Sequence, residues 1–156
     1  MRKQITKDEA LLSMADLCAR SEQCAFDITK KLSARGLPPG DVRSVISELE
    51  ERGFIDAGRY ARAFSRDKVR FSAWGRLKIR AALLAKRIPE AVVREAFEDV
   101  DPDDYADALT RAARAKSAGL DLSSYDDRLK LYRHLLSRGF ESSLASAEVK
   151  KFWRGN

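Results

Sequence analysis

Leu32-Ser33-Ala34-Arg35-Gly36-Leu37 returns as Leu83-Leu84-Ala85-Lys86-Arg87-Ile88 and again as Leu135-Leu136-Ser137-Arg138-Gly139-Phe140, at offsets of 51 and 52 residues. The same offsets carry Ile28 onto Ile79 and Leu131, and Phe26 onto Leu77 and Leu129. Recurrence at a period near fifty residues marks stacked supersecondary units, each burying a face against its neighbour. In two of the copies the fifth position is glycine, the residue that best tolerates the left-handed turn after a helix.

The surrounding chain reads as helix. Ala, Leu, Arg, Lys and Glu dominate, while Val, Ile and Thr are sparse. Asp8 is expected to cap a first helix through about Arg20, with Leu11, Leu12, Ala15 and Leu17 inward. A second runs from near Cys24 to Gly36. After the turn Pro38-Pro39-Gly40, Asp41 caps a third, with Val42, Val45, Ile46 and Leu49 inward and Gly53 at its end. Asp56 caps a fourth, carrying Tyr60, Ala61, Phe64 and Phe71. Ser72 caps a fifth, running past Trp74 to Arg87, with Leu77, Ala81, Leu84 and Ile88 on one face and Ile79 and Leu83 nearly opposite. Pro89, Asp101-Pro102, Ser123 or Ser124, and Ser142 or Ser143 open four more. The expected fold is all-α: three tandem three-helix repeats in an elongated, curved, right-handed-type helical array. The expected units are residues 1–55, 56–100 (basic and central) and 101–156.

Charge is concentrated in the middle. Between Arg59 and Arg87 stand ten basic residues against one acid, Asp67, a local net of +9 in a chain whose net is +6. Arg59, Arg62, Arg66 and Arg70 form one stripe on the fourth helix. Arg76, Arg80 and Arg87 form another on the fifth. A run of charge is often only a solvated face, but a bias of ten to one points to an anionic partner. Trp74 and Phe71 lie inside the run, where they either stack on a base or close the corner between helices. Tyr60 and Phe64 read as core, and Trp153 as packing for the last unit.

Other features read blandly. Cys18 and Cys24 have neither redox nor metal spacing and read as reduced, helix-packing thiols. The acids from Glu95 to Asp107 read as solvated caps at a helix start. His134 has no partner motif. No phosphate loop, nucleophile elbow or zinc-protease motif occurs. No signal core or membrane-length run is present, so a cytoplasmic protein without metal or cofactor is expected.

Three groups of residues carry a family resemblance. Asp27, Ile28, Lys31 and Leu32 follow part of an R-x-x-[ST]-x-x-[ED]-[LI]-x-x-K-L signature, with Cys24 in place of the hydroxyl that would cap the helix. Asp56, Tyr60, Ala61 and Phe64 follow D-x-x-[FY]-A-x-x-F, Asp56 lying one residue further out. Trp74-Gly75-Arg76-Leu77-Lys78-Ile79 and Leu83 continue it, with Lys86-Arg87 where a Lys/Arg-Gly pair is usual. Over nearly its whole length the chain resembles the RecX family, regulators of the RecA recombinase.

That resemblance implies a non-enzymatic monomer acting in homologous recombination, DNA repair and the SOS response. It implies binding to the RecA filament on single-stranded DNA and, mostly, inhibition. Candidate contacts are Arg59, Arg62, Arg66, Lys68, Arg70, Trp74, Arg76, Lys78, Arg80, Lys86 and Arg87. The rival readings are a general single-stranded nucleic-acid-binding helical module and a helical protein–protein scaffold.

Overall fold

The computed structural model describes residues 4–154, and among them it contains nine α-helices and no strand. They are α1 (Lys7–Arg20), α2 (Ala25–Ala34), α3 (Pro39–Glu51), α4 (Ala57–Ser72), α5 (Arg76–Ala85), α6 (Glu90–Glu98), α7 (Pro102–Ser117), α8 (Tyr125–Ser137) and α9 (Ser142–Arg154).

The sequence repeat proves to be a repeated helix end. The amide of Leu37 donates to the carbonyl of Leu32 at 3.2 Å, Ile88 to Leu83 at 3.1 Å, and Phe140 to Leu135 at 3.2 Å. The residue before each closing amide is left-handed: Gly36 at φ 84°, Arg87 at 62° and Gly139 at 96°. This pattern satisfies the last carbonyls of α2, α5 and α8 and seats the next apolar side chain in the core. Ile28, Leu32, Ile79, Leu83, Leu131 and Leu135 are all fully buried. The departure at Lys86-Arg87 does not blunt the end of α5; Arg87 is forced into the conformation that glycine occupies elsewhere.

Several local expectations need correction. Thr6, not Asp8, caps α1: its hydroxyl accepts from the amide of Glu9 at 3.2 Å and donates to the Glu9 carboxylate at 2.9 Å. The helix consequently buries Ala10 and Met14 and leaves Leu12 74% exposed. Helix α3 begins at Pro39, whose missing N–H costs nothing in a first turn, so Asp41 lies inside the helix. Ser72 ends α4 rather than starting α5. The chain turns at Ala73 (φ 51°), and Gly75 caps α5. The two-sided reading of α5 holds only toward its end: Leu84 and Ile88 pack against the core, but Leu77 is 54% exposed and Ala81 is exposed.

The buried side chains fall into two clusters. One belongs to α1–α3 and includes Ile28, Leu32, Val45 and Leu49. The other is continuous through α4–α9, from Tyr60 and Ile79 to Leu135 and Phe140, and takes in only Cys24 and Phe26 from the first three helices. The middle and last triplets therefore share a core, while the first has its own.

The two joints differ accordingly. Between middle and last triplets, the amide of Gly75 donates to the carbonyl of Arg138 at 2.8 Å and that of Leu77 to Gly139 at 2.9 Å. The positive end of α5 thus meets the negative end of α8. The first and middle triplets are joined by Arg59–Glu22 at 2.5 Å and Lys86–Asp27 at 2.6 Å.

Candidate functional site

The basic run folds into α4, the corner Ala73–Gly75, and α5. Asp56 starts α4 by accepting from the amide of Arg59 at 2.9 Å, which also holds its carboxyl below the usual range. The helix then presents cations every three or four residues on its outer side, while Tyr60, Ala61, Ser65 and Val69 face inward.

Six of the ten cations sit beside a carboxylate. Arg59 pairs with Glu22 at 2.5 Å, Arg66 loosely with Asp67 at 3.8 Å, and Arg70 with Asp104 at 2.8 Å. Arg76 pairs with Glu141 at 2.8 Å, and Lys86 with Asp27 at 2.6 Å. Arg80 grips Glu90 with two parallel bonds, at 2.8 and 2.7 Å. Among the described residues, Arg62, Lys68, Lys78 and Arg87 have no carboxylate within 4.0 Å. Uncompensated cations are the ones available to an external anion.

Arg76 is the most committed. Its guanidinium lies 3.9 Å from the ring centroid of Tyr105 and binds Glu141, and its amide donates to the Tyr105 hydroxyl at 3.1 Å. That hydroxyl donates in turn to the other oxygen of Glu141. Burial first, and the Glu141 hydrogen bond second, push the Tyr105 phenol well above its ordinary value. Arg76 is thus part of the joint between α5, α7 and the residue that precedes α9.

Two of the four open cations, Lys68 and Lys78, meet at one aromatic. Trp74 packs edge-on against Phe64, with centroids 6.4 Å apart. The Lys68 ammonium is 4.6 Å from the Trp74 ring centroid, and that of Lys78 is 4.5 Å away. Lys68 stands one turn before the end of α4 and Lys78 in the first turn of α5, so the left-handed turn at Ala73 brings them to the same ring. Beside them Phe71 is 80% exposed. Trp74 thus closes the helix corner, whereas Phe71 does not. Two ammonium groups, a half-buried indole and an exposed phenyl ring make a surface that can hold an anion and offer an aromatic face. Lys86 and Arg87 lie elsewhere, against α2, with the Arg87 guanidinium 5.8 Å from the Phe26 ring centroid.

The corner is held from outside its own sequence neighbourhood. The Arg138 side chain donates to the carbonyl of Ser72, and Arg111 donates to that of Val69 at 3.2 Å, capping the end of α4. Neither was a sequence candidate, and no local signal marks them, since the partners stand 66 and 42 positions away. Trp153, expected inside the last triplet, is 48% exposed with the Arg128 guanidinium 4.7 Å from its ring centroid.

Residues 58–96, which hold this surface, match the family model for the second three-helix domain of RecX. The chain is 35% identical over 138 residues to the "Regulatory protein RecX" of Chromohalobacter salexigens, covering 88% of each. It is 31% identical over 131 residues to the protein of the same name from Halorhodospira halophila, covering 84% of this chain and 80% of that one. Two crystal structures share the fold, each with a TM-score of 0.77. One is of a regulatory protein RecX, at 23% identity over 90% of this chain and 70% of that one. The other is of RecX from Lactobacillus salivarius, at 16% identity over 93% and 95%.

Proposed function

The chain belongs to the RecX family, and on that premise we propose that it is a non-enzymatic, cytoplasmic regulator of homologous recombination. It binds the RecA filament on single-stranded DNA as a monomer and mostly inhibits it, within DNA repair and the SOS response. The three units are bounded at residues 1–55, 56–100 and 101–156. The observation that carries the reading is the open basic and aromatic surface of the middle unit, Lys68 and Lys78 with Trp74 and Phe71, to which Arg62 adds an exposed cation near the start of α4. The other candidate cations support it by charge; the carboxylates beside Arg59, Arg66, Arg70, Arg76, Arg80 and Lys86 weaken those six as direct contacts, and Arg87 lies apart, against α2.

The test is RecA ATPase on single-stranded DNA with the purified protein added. Inhibition at a ratio of one chain to a few RecA protomers is expected. Undiminished hydrolysis at that ratio would count against the proposal. A second reading, a general single-stranded nucleic-acid binder, is favoured by the pairing of Trp74 with two lysines, which suits a stacked base and its phosphate. Comparing affinity for bare oligothymidylate with affinity for preformed filament separates the two. If the chain is only a helical protein–protein scaffold, reversing these charges changes neither affinity.

A further inference from the structure

The first and middle triplets leave a cleft of about 610 Å³ between them, within the size range of ligand sites. Its walls are apolar: Phe26 at the start of α2, Ile55, and Ile88 with Pro89. Lys30 and Arg87 stand at Phe26, their charged groups 5.1 and 5.8 Å from its ring centroid. Both are exposed, and among the described residues neither has a carboxylate within 4.0 Å. Lys86 also lines the cleft but is already bonded to Asp27, and Glu50 is the one acid in the lining.

We propose that this cleft is a second docking site, distinct from the Trp74 surface, for an acidic protein segment that inserts an apolar side chain between Phe26, Ile55 and Ile88 and places carboxylates on Lys30 and Arg87. Charge complementarity selects the occupant. The two unpaired cations sit at the aromatic wall and ask for anions, while the walls ask for a hydrocarbon group. A nucleotide fits less well, because its base carries a rim of polar groups and Thr29 is the only hydroxyl in the lining. The inference does not depend on the recombinase reading, since it uses none of Arg62, Lys68, Lys78, Trp74 and Phe71, the residues that carry that reading; Arg87 and Lys86 are the only candidates of the basic run that line the cleft.

The conformation of Arg87 separates binding from folding. Arg87 is left-handed, so Arg87→Gly removes the guanidinium while relieving the backbone. The experiment titrates the full chain, carrying labelled isoleucine methyls, with the peptide acetyl-Asp-Asp-Leu-Phe-Asp-Asp up to about 1 mM, where weak sites are seen. The Ile55 and Ile88 methyl signals are expected to shift and saturate. Arg87→Gly and Lys30→Gln are each expected to weaken binding about threefold, with Arg87→Gly raising the melting temperature. The proposal is overturned if those methyls stay still. It is equally overturned if a control peptide with serines for Leu and Phe shifts them as much, if neither variant weakens binding, or if oligothymidylate displaces the peptide.

Discussion

Gly75 and Gly139 meet backbone to backbone. A Cβ on Gly75 would lie 2.3 Å from the carbonyl carbon and oxygen of Gly139, and one on Gly139 would lie 2.4 Å from the Cβ of Lys78. The start of α5 can reach the end of α8, and donate Gly75 N–H to Arg138, only because neither residue has a side chain. This contact makes the middle and last triplets one body and fixes the direction of α5, hence the place of Lys78 beside Trp74.

Gly75→Ala is therefore expected to destabilise by about 3 kcal/mol, the upper end for forced overpacking, since backbone cannot step aside as a side chain can. Gly75 has φ −86°, so the cost is steric alone. Gly53→Ala is the control: φ is 76° with nothing within 4 Å, and only the left-handed cost of about 1 kcal/mol applies. Urea denaturation midpoints of both variants check the difference.

Arg87→Gly is expected to stabilise by about 1 kcal/mol, because the position is left-handed and its two counterparts are already glycine. For a chain of this size that raises the melting temperature by about 3 °C in a thermal scan. An unchanged or lowered value would mean that Arg87's place beside Phe26 outweighs the backbone strain.

Charge reversal at Lys68 and Lys78 together is expected to abolish most of the effect on RecA ATPase. Arg80→Gln, which removes a cation already held by Glu90, should change it little. If the surface meets DNA phosphates, each open cation removed lowers the salt slope of binding to oligothymidylate by about 0.7. Affinities measured across a salt series give that slope.

Tyr105→Phe is expected to destabilise by about 2 kcal/mol near neutral pH, since it leaves the Arg76 amide without its acceptor and removes the donor to Glu141 Oε1, Oε2 keeping its bond from Arg76. The pH dependence has a definite sign. The folded phenol titrates above its unfolded value, so its contribution is complete below about pH 10 and is lost as pH rises further, when the unfolded chain releases the proton first. Denaturation midpoints of wild type should therefore fall faster with alkalinity than those of Tyr105→Phe.

Helices, their order and their repeat were legible because they rest on local chemistry. Asp56, Asp101 and Ser124 each cap where a side-chain acceptor meets a free amide within three residues. The failures share a cause. Ser72 and Asp41 have capping side chains, yet α4 runs through Ser72 and α3 begins before Asp41, because Gly75 is bonded from α8 and Pro39 can open a helix without a donor. Propensity is weak enough for a single tertiary bond to override it.

The candidate site was legible as a charged stretch and no further. Periodicity grouped Arg59, Arg62, Arg66 and Arg70 on one side of α4. It could not reveal which of them have a carboxylate waiting: Glu22 and Asp104 stand 37 and 34 positions away in the chain. Nor could it show that Phe71 faces outward while Trp74, three residues on, packs against Phe64.

By itself the sequence determined the all-α class, the threefold repeat and the concentration of positive charge, since composition, capping residues and a period near fifty residues are properties of the chain. Only the tertiary structure decided which cations remain open, that two triplets share one core while the first keeps its own, and that a basic-edged cleft lies between the bodies. Those depend on pairings between residues far apart in sequence, and a pairing exists only once the backbone has brought both partners together.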